Sequence, residues 1–90
     1  MIFNQRIGGN SGAFANIFAY GDQLQSTDTV YAEKGGKRIS GVWDSVRDGF
    51  IISSIREYGT WSLTASNGTK TKTLDVLIDA AEEFGVEVTA

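Results

Sequence analysis

Asp44 and Asp48 bracket the run Asp44-Ser45-Val46-Arg47-Asp48-Gly49 and form the best-spaced carboxylate pair in the chain. Two acids this close could divide general acid and base work, or offer hard oxygen ligands to calcium. Acid and base work needs an enclosed cleft that raises one pKa, and a short loop on a thin domain seldom supplies one. A calcium loop needs Asp-x-Asp-x-Asp-Gly spacing, and here Arg47 stands between the acids, so the residues favour a solvated Asp-Gly turn. Histidine and cysteine are both absent. The usual general base near neutral pH, the strongest side-chain nucleophile, thiolate metal sites and disulfides are therefore missing together. The expectation is a protein that is not an enzyme, with no catalytic residue, metal or cofactor.

Two short motifs fail on inspection. Gly36-Lys37 is followed by Arg38 instead of Ser or Thr, and Tyr31 occupies the place of the first glycine, so a phosphate-binding loop is not encoded. Asn67-Gly68-Thr69 has the form of a glycosylation acceptor, but its Asn-Gly pair is explained by a hairpin turn. What remains is contact chemistry. Tyr20, Tyr31 and Phe3 fall outside the expected core positions, and exposed aromatics of this kind are enriched at interfaces, so these three are the candidate partner-binding residues. Phe14, Phe18, Phe50, Trp61 and Phe84 fall on or next to inward-facing positions and are expected in the core.

Ninety residues make one domain with a single thin core. The hydrophobic fraction of 41% and charged fraction of 21% suit a folded globular chain. The net charge of −3, with basic residues scattered from Arg6 to Lys72, argues against nucleic acid as a partner. No stretch approaches the ~18 apolar residues of a membrane span, and the opening Met1-Ile2-Phe3-Asn4-Gln5-Arg6 lacks the core of a signal peptide, so synthesis in the cytoplasm and no membrane partner are expected.

Gly8-Gly9-Asn10-Ser11-Gly12 reads as a flexible break, giving residues 1–12 as a Gly-rich arm and residues 13–90 as the folded domain. Beyond it, short β-rich runs recur every eight to twelve residues: Ala13–Tyr20, Asp28–Lys34, Lys37–Trp43, Phe50–Ser54, Thr60–Ser66, Lys70–Ile78 and Phe84–Thr89. With one helix-like stretch, Asp79–Glu83, this predicts an all-β sandwich of seven strands.

A two-residue primed turn at Gly35-Gly36 would set Lys34 opposite Lys37, Glu33 opposite Arg38, Ala32 opposite Ile39, Tyr31 opposite Ser40, Val30 opposite Gly41 and Asp28 opposite Trp43. One face of that ladder is apolar and the other pairs opposite charges. Asn67-Gly68 would join Trp61, Leu63 and Ala65 to Leu74, Val76 and Ile78. That register leaves Lys70 and Lys72 on the inward face, so either they lie past the covered part of the sheet or a bulge shifts the ladder. Phe84, Val86 and Val88 point inward from the last strand, whose loss would uncover the core.

The run from Gly49-Phe50 through Gly59-Thr60-Trp61-Ser62-Leu63-Thr64-Ala65 resembles the Gly-Phe-x-Ile…Gly-Thr-Tyr-x-Val-x-Ala signature of carboxypeptidase regulatory-like domains and related prealbumin-like or immunoglobulin-like sandwiches, with Trp61 in place of the usual Tyr. That resemblance implies a Greek-key sandwich. The stretches Gly8–Ala15, Lys34–Asp44 and Asp75–Val88 resemble small proteins encoded in phages and prophages of Gram-positive gut bacteria, beside tail and other virion genes. This second likeness implies a structural or decoration protein assembled into the virion. Its implied partners are virion or tail proteins, a second copy of the chain, or a cell-surface glycan. The chain departs from those relatives at Asp22–Asp28, where a shorter turn is usual, which leaves the path from first to second strand open. A long, proline-free edge at Ala13–Tyr20 would suit self-association.

Overall fold

The computed structural model describes the backbone of residues 2–5 and the whole of residues 14–88. Among the described residues every regular element is a strand, and no helix is long and apolar enough to cross a membrane. The strands are β1 (Ile2–Gln5), β2 (Ala15–Tyr20), β3 (Thr29–Lys34), β4 (Lys37–Ser40), β5 (Val42–Asp44), β6 (Gly49–Ile55), β7 (Gly59–Ser66), β8 (Thr71–Ile78) and β9 (Glu83–Glu87). They form two sheets, one ordered β1-β9-β2-β6-β5 and one ordered β4-β3-β7-β8. The all-β sandwich is thus present, with eight strands between residues 14 and 88 in place of the expected seven.

The extra strand arises at Gly41. The Gly35-Gly36 hairpin has the expected register from Lys34↔Lys37 to Tyr31↔Ser40, and both glycines hold positive φ as a primed turn requires. Gly41 adds a last rung, its N–H donating to Val30 O at 2.7 Å. The chain then leaves for the other sheet, so Trp43 pairs with Phe50 and not with Asp28. A Cβ at Gly41 would sit 3.1 Å from Val30 O and 3.2 Å from Phe50 Cβ, wedged between the layers. The missing side chain is what allows the crossing here.

Strand β2 runs between β9, to which it is parallel, and β6, to which it is antiparallel. It is therefore a central strand and not the free edge expected of Ala13–Tyr20. Ala15, Ile17 and Ala19 are fully buried on its inner face. One extra residue in β6 interrupts the ladder between Ala15↔Ile55 and Ile17↔Ile52, and Ser54 in this bulge has φ 64°. The bulge returns Ile55 to the core after two exposed serines.

The stretch read as helix-like is no helix. Residues 80–82 bend, and Glu83 already belongs to β9, whose pairing on both sides outweighs five residues of weak helical pattern. At the Asn67-Gly68 turn, Ser66 pairs with Thr71, so the loop is four residues long instead of two. Asn67 Oδ1 accepts from the N–H groups of Thr69 and Lys70 and shapes this wider turn. A slip of two residues preserves every face, and the β7–β8 ladder has no bulge. Lys70 accordingly lies in the loop, and Lys72 sits opposite Ala65 at the open end of the inner face. The doubtful path after β2 is a pair of turns, closed by Leu24 N–H to Gly21 O and Asp28 N–H to Gln25 O, with Leu24 packed on the core.

The core lies between the sheets. Trp61, Leu63, Val30, Val76 and Ile78 of the smaller sheet meet Ile17, Ile52, Ile55, Phe84 and Val86 of the larger. Trp61 is 1% exposed and still satisfies its indole N–H, which donates to Glu57 O at 2.8 Å. Of the expected arm, Ile2–Gln5 pairs with β9 as an edge strand, and the glycine-rich break lies outside the described residues.

Candidate functional site

The two outer faces differ in chemistry. On the smaller sheet the outward positions are mostly hydroxyls and charges, with Leu77 of β8 the exception at 56% exposed: Ser40, Tyr31, Thr64 and Thr73 make one cross-strand row, and Arg38, Glu33, Ser62 and Asp75 the next. On the larger sheet the register aligns Phe3 with Gly85, Gly85 with Phe18, Phe18 with Ile51, and Ile51 with Val42. Phe18 and Ile51 are half-buried, and Val42 is 70% exposed. Val46, in the turn after β5, is 90% exposed beside the same edge. An apolar row therefore crosses the described part of this face.

Arg47 fastens the middle of that face. Its two terminal nitrogens donate to the carboxylate of Glu83 at 2.6 and 2.8 Å, a bidentate pair. Its guanidinium carbon lies 3.9 Å from the centre of the Phe18 ring, stacked on its face. The hydrogen bonds that Arg47 donates to Glu83 push the Arg47 pKa up against an opposing push from burial. The Asp44-to-Asp48 turn exists to aim this side chain. Asp44 Oδ1 accepts from Val46 N–H at 2.9 Å and Arg47 N–H at 3.4 Å, and Asp48 adopts φ 55° to close the turn. The carboxylate pair is thus split between a turn cap and a left-handed residue. Among the described residues no three His, Cys, Asp or Glu side chains gather as a metal site would require.

The three candidate contact residues fall on different surfaces. Tyr20 stacks on Phe18, with ring centroids 5.6 Å apart, and so borders the apolar row. Phe3 occupies the Gly85 position of that row by backbone register, and its side chain lies outside the described residues. Tyr31 is across the sandwich, on the polar face beneath Arg38, whose guanidinium carbon is 4.0 Å from its ring centre. Phe14 and Phe18 are the aromatics whose placement differs from expectation: neither joins the core, and Arg56 lies 4.7 Å from the Phe14 ring centre. The cause is clear for Phe18. Strand alternation turns it away from Ile17 and Ala19, and Arg47 makes that position favourable. Val42, Val46, Ile51 and Arg47 escaped the sequence reading. Val42 faces outward on the larger sheet only because the chain changes sheets at Gly41, a switch that a continuous Lys37–Trp43 strand conceals.

A second polar cluster closes one end of the sandwich. Glu57 accepts from Lys34 Nζ at 2.9 Å and from Lys37 Nζ at 3.2 Å, tying the Gly35-Gly36 hairpin to the loop before β7. The hydrogen bonds from Lys34 and Lys37 hold its carboxyl below the usual range.

No protein-family model matches the chain, and comparison with curated proteins and with solved structures likewise gave no match.

Proposed function

We propose that the protein is a non-enzymatic structural or decoration module of a phage or prophage particle, docking on virion or tail proteins through the outer face of its larger sheet. The observation that carries this reading is the apolar row Phe18-Ile51-Val42, with Val46 beside it, on a face where the charge of Arg47 is already committed to Glu83. The partner class comes from the resemblance to small proteins encoded beside virion genes. An immunoglobulin-like or prealbumin-like Greek-key arrangement is supported by the parallel β2–β9 pair and by the crossing of the chain between sheets at Gly41. A glycan platform would need open aromatic faces, whereas the Phe18 and Tyr31 rings each carry an arginine.

The test is incorporation into particles, measured by mass spectrometry of purified virions. Val42→Asp combined with Val46→Asp should lower the copy number by about tenfold or more, as loss of an interface anchor does. Removal of residues 1–12 should also abolish incorporation. Thr73→Asp, on the polar face, is the control and should incorporate normally. Normal incorporation of the double aspartate variant would overturn the docking face.

A further inference from the structure

We propose that the cleft between the β2–β3 loop and the β7–β8 turn binds a small apolar carboxylate, of about the size of benzoate or hexanoate. The cleft has a volume of about 160 Å³ and opens where the two sheets part. An apolar cavity of about 150 Å³ admits a benzene-sized molecule, so a ring or a short alkyl chain fits. Leu24, Ala65 and Val88 supply the apolar floor, with Leu24 and Val88 packed against the core from the loop and the end of β9.

The rim decides the headgroup. Several of its acceptors are already engaged: Asn67 Oδ1 takes the Thr69 and Lys70 amides, Ser66 Oγ takes Gly68 N–H and the Thr71 hydroxyl, and Asp28 Oδ2 takes Gln25 N–H. Its strongest donors are not. Lys70 and Lys72 both line the cleft, and neither ammonium has an ion-pair or hydrogen-bond partner among the described residues. Lys72 is half-buried on the inner face of β8, opposite Ala65, so its stem lies along the apolar floor and its charge at the mouth. Two ammonium groups against the single carboxylate of Asp28 leave the rim net positive. An apolar floor under a net-cationic rim selects an anion with an apolar body over inorganic phosphate, which has no such body, and over a neutral amide of the same shape.

The test is a ¹H–¹⁵N NMR titration of the full chain with benzoate and hexanoate, with benzamide and inorganic phosphate as controls. Benzoate should move the amides of Leu24, Ala65, Lys72 and Val88 together and saturate in the low-millimolar range, with benzamide and phosphate each about tenfold weaker or more. Lys72→Met keeps the stem and removes the charge, and should weaken benzoate about tenfold while leaving benzamide unchanged. Any of three outcomes would overturn the site: no saturation by about 50 mM benzoate, benzamide binding as well as benzoate, or no loss of benzoate binding in Lys72→Met. The readout is independent of particle assembly, so its failure would leave the docking face untouched.

Discussion

The Arg47–Glu83 pair combines a nearly buried carboxylate with a partly exposed guanidinium, 8% and 37% exposed respectively. Removing the cation leaves Glu83 desolvated without its partner, which costs more than losing a surface bridge, although solvent reaching Arg47 softens the loss. Arg47→Met is expected to destabilise the fold by about 1–3 kcal/mol in urea unfolding. Arg47→Lys should recover only part of this, because an ammonium cannot reproduce the fork or the stacking on Phe18. Glu57 gives a pH signature instead. Its folded-state pKa is depressed, so the stabilisation is present above the unfolded carboxyl range of about 4.3 and is lost as pH falls through the folded value. The difference in Tm between the wild type and Glu57→Gln should therefore be visible at neutral pH, shrink with added salt, and vanish in acid. A gap that persisted at low pH would show that the two lysines were not its source.

Among the elements, the glycines at sheet junctions set the limits of what each strand can do. Gly49 begins β6, and a Cβ there would lie 2.6 Å from both Ala19 O and the Phe18 ring. Gly49→Ala must push β2 or Phe18 aside, and is expected to cost about 1–3 kcal/mol. It should also weaken the seat of Arg47, so its effect and that of Arg47→Met should fall short of additive in a double-mutant cycle. Much of this level was legible in the residues. The Gly35-Gly36 register followed from two glycines and the sorting of apolar and charged residues on two faces, both local properties. The inward sets of β7, β8 and β9 followed from alternation. The change of sheet at Gly41 did not, because an alternating run reads the same whether its second half stays in one layer or crosses to the next. The four-residue loop after Ser66 was hidden for a related reason: a slip of two keeps the side-chain pattern unchanged.

At the scale of the molecule, the two ends of the chain carry unequal weight. Strand β9 is paired on both sides and contributes Phe84 and Val86 to the core, both 1% exposed. Deleting residues 83–90 should abolish cooperative thermal unfolding, since it strips Phe84 and Val86 from the core and uncovers one edge of the central strand β2. Deleting residues 1–12 should leave one cooperative transition, because every core residue among those described lies at Ala15 or beyond. A chain that lost its transition on removal of residues 1–12 would show that β1 belongs to the stable fold. Composition and rhythm alone determined that this is a two-layer β protein without histidine or cysteine chemistry, because alternation and turn glycines act over a few residues and need no partner to be read. Tertiary structure decided which strands became neighbours, that Phe18 and Val42 share an outer face, that Asp44 caps a turn aiming Arg47 at a glutamate 36 residues away, and that Lys72 stands at the mouth of a cleft. Those placements depend on contacts between distant segments, whose free energy is settled only when the two sheets close on a common core.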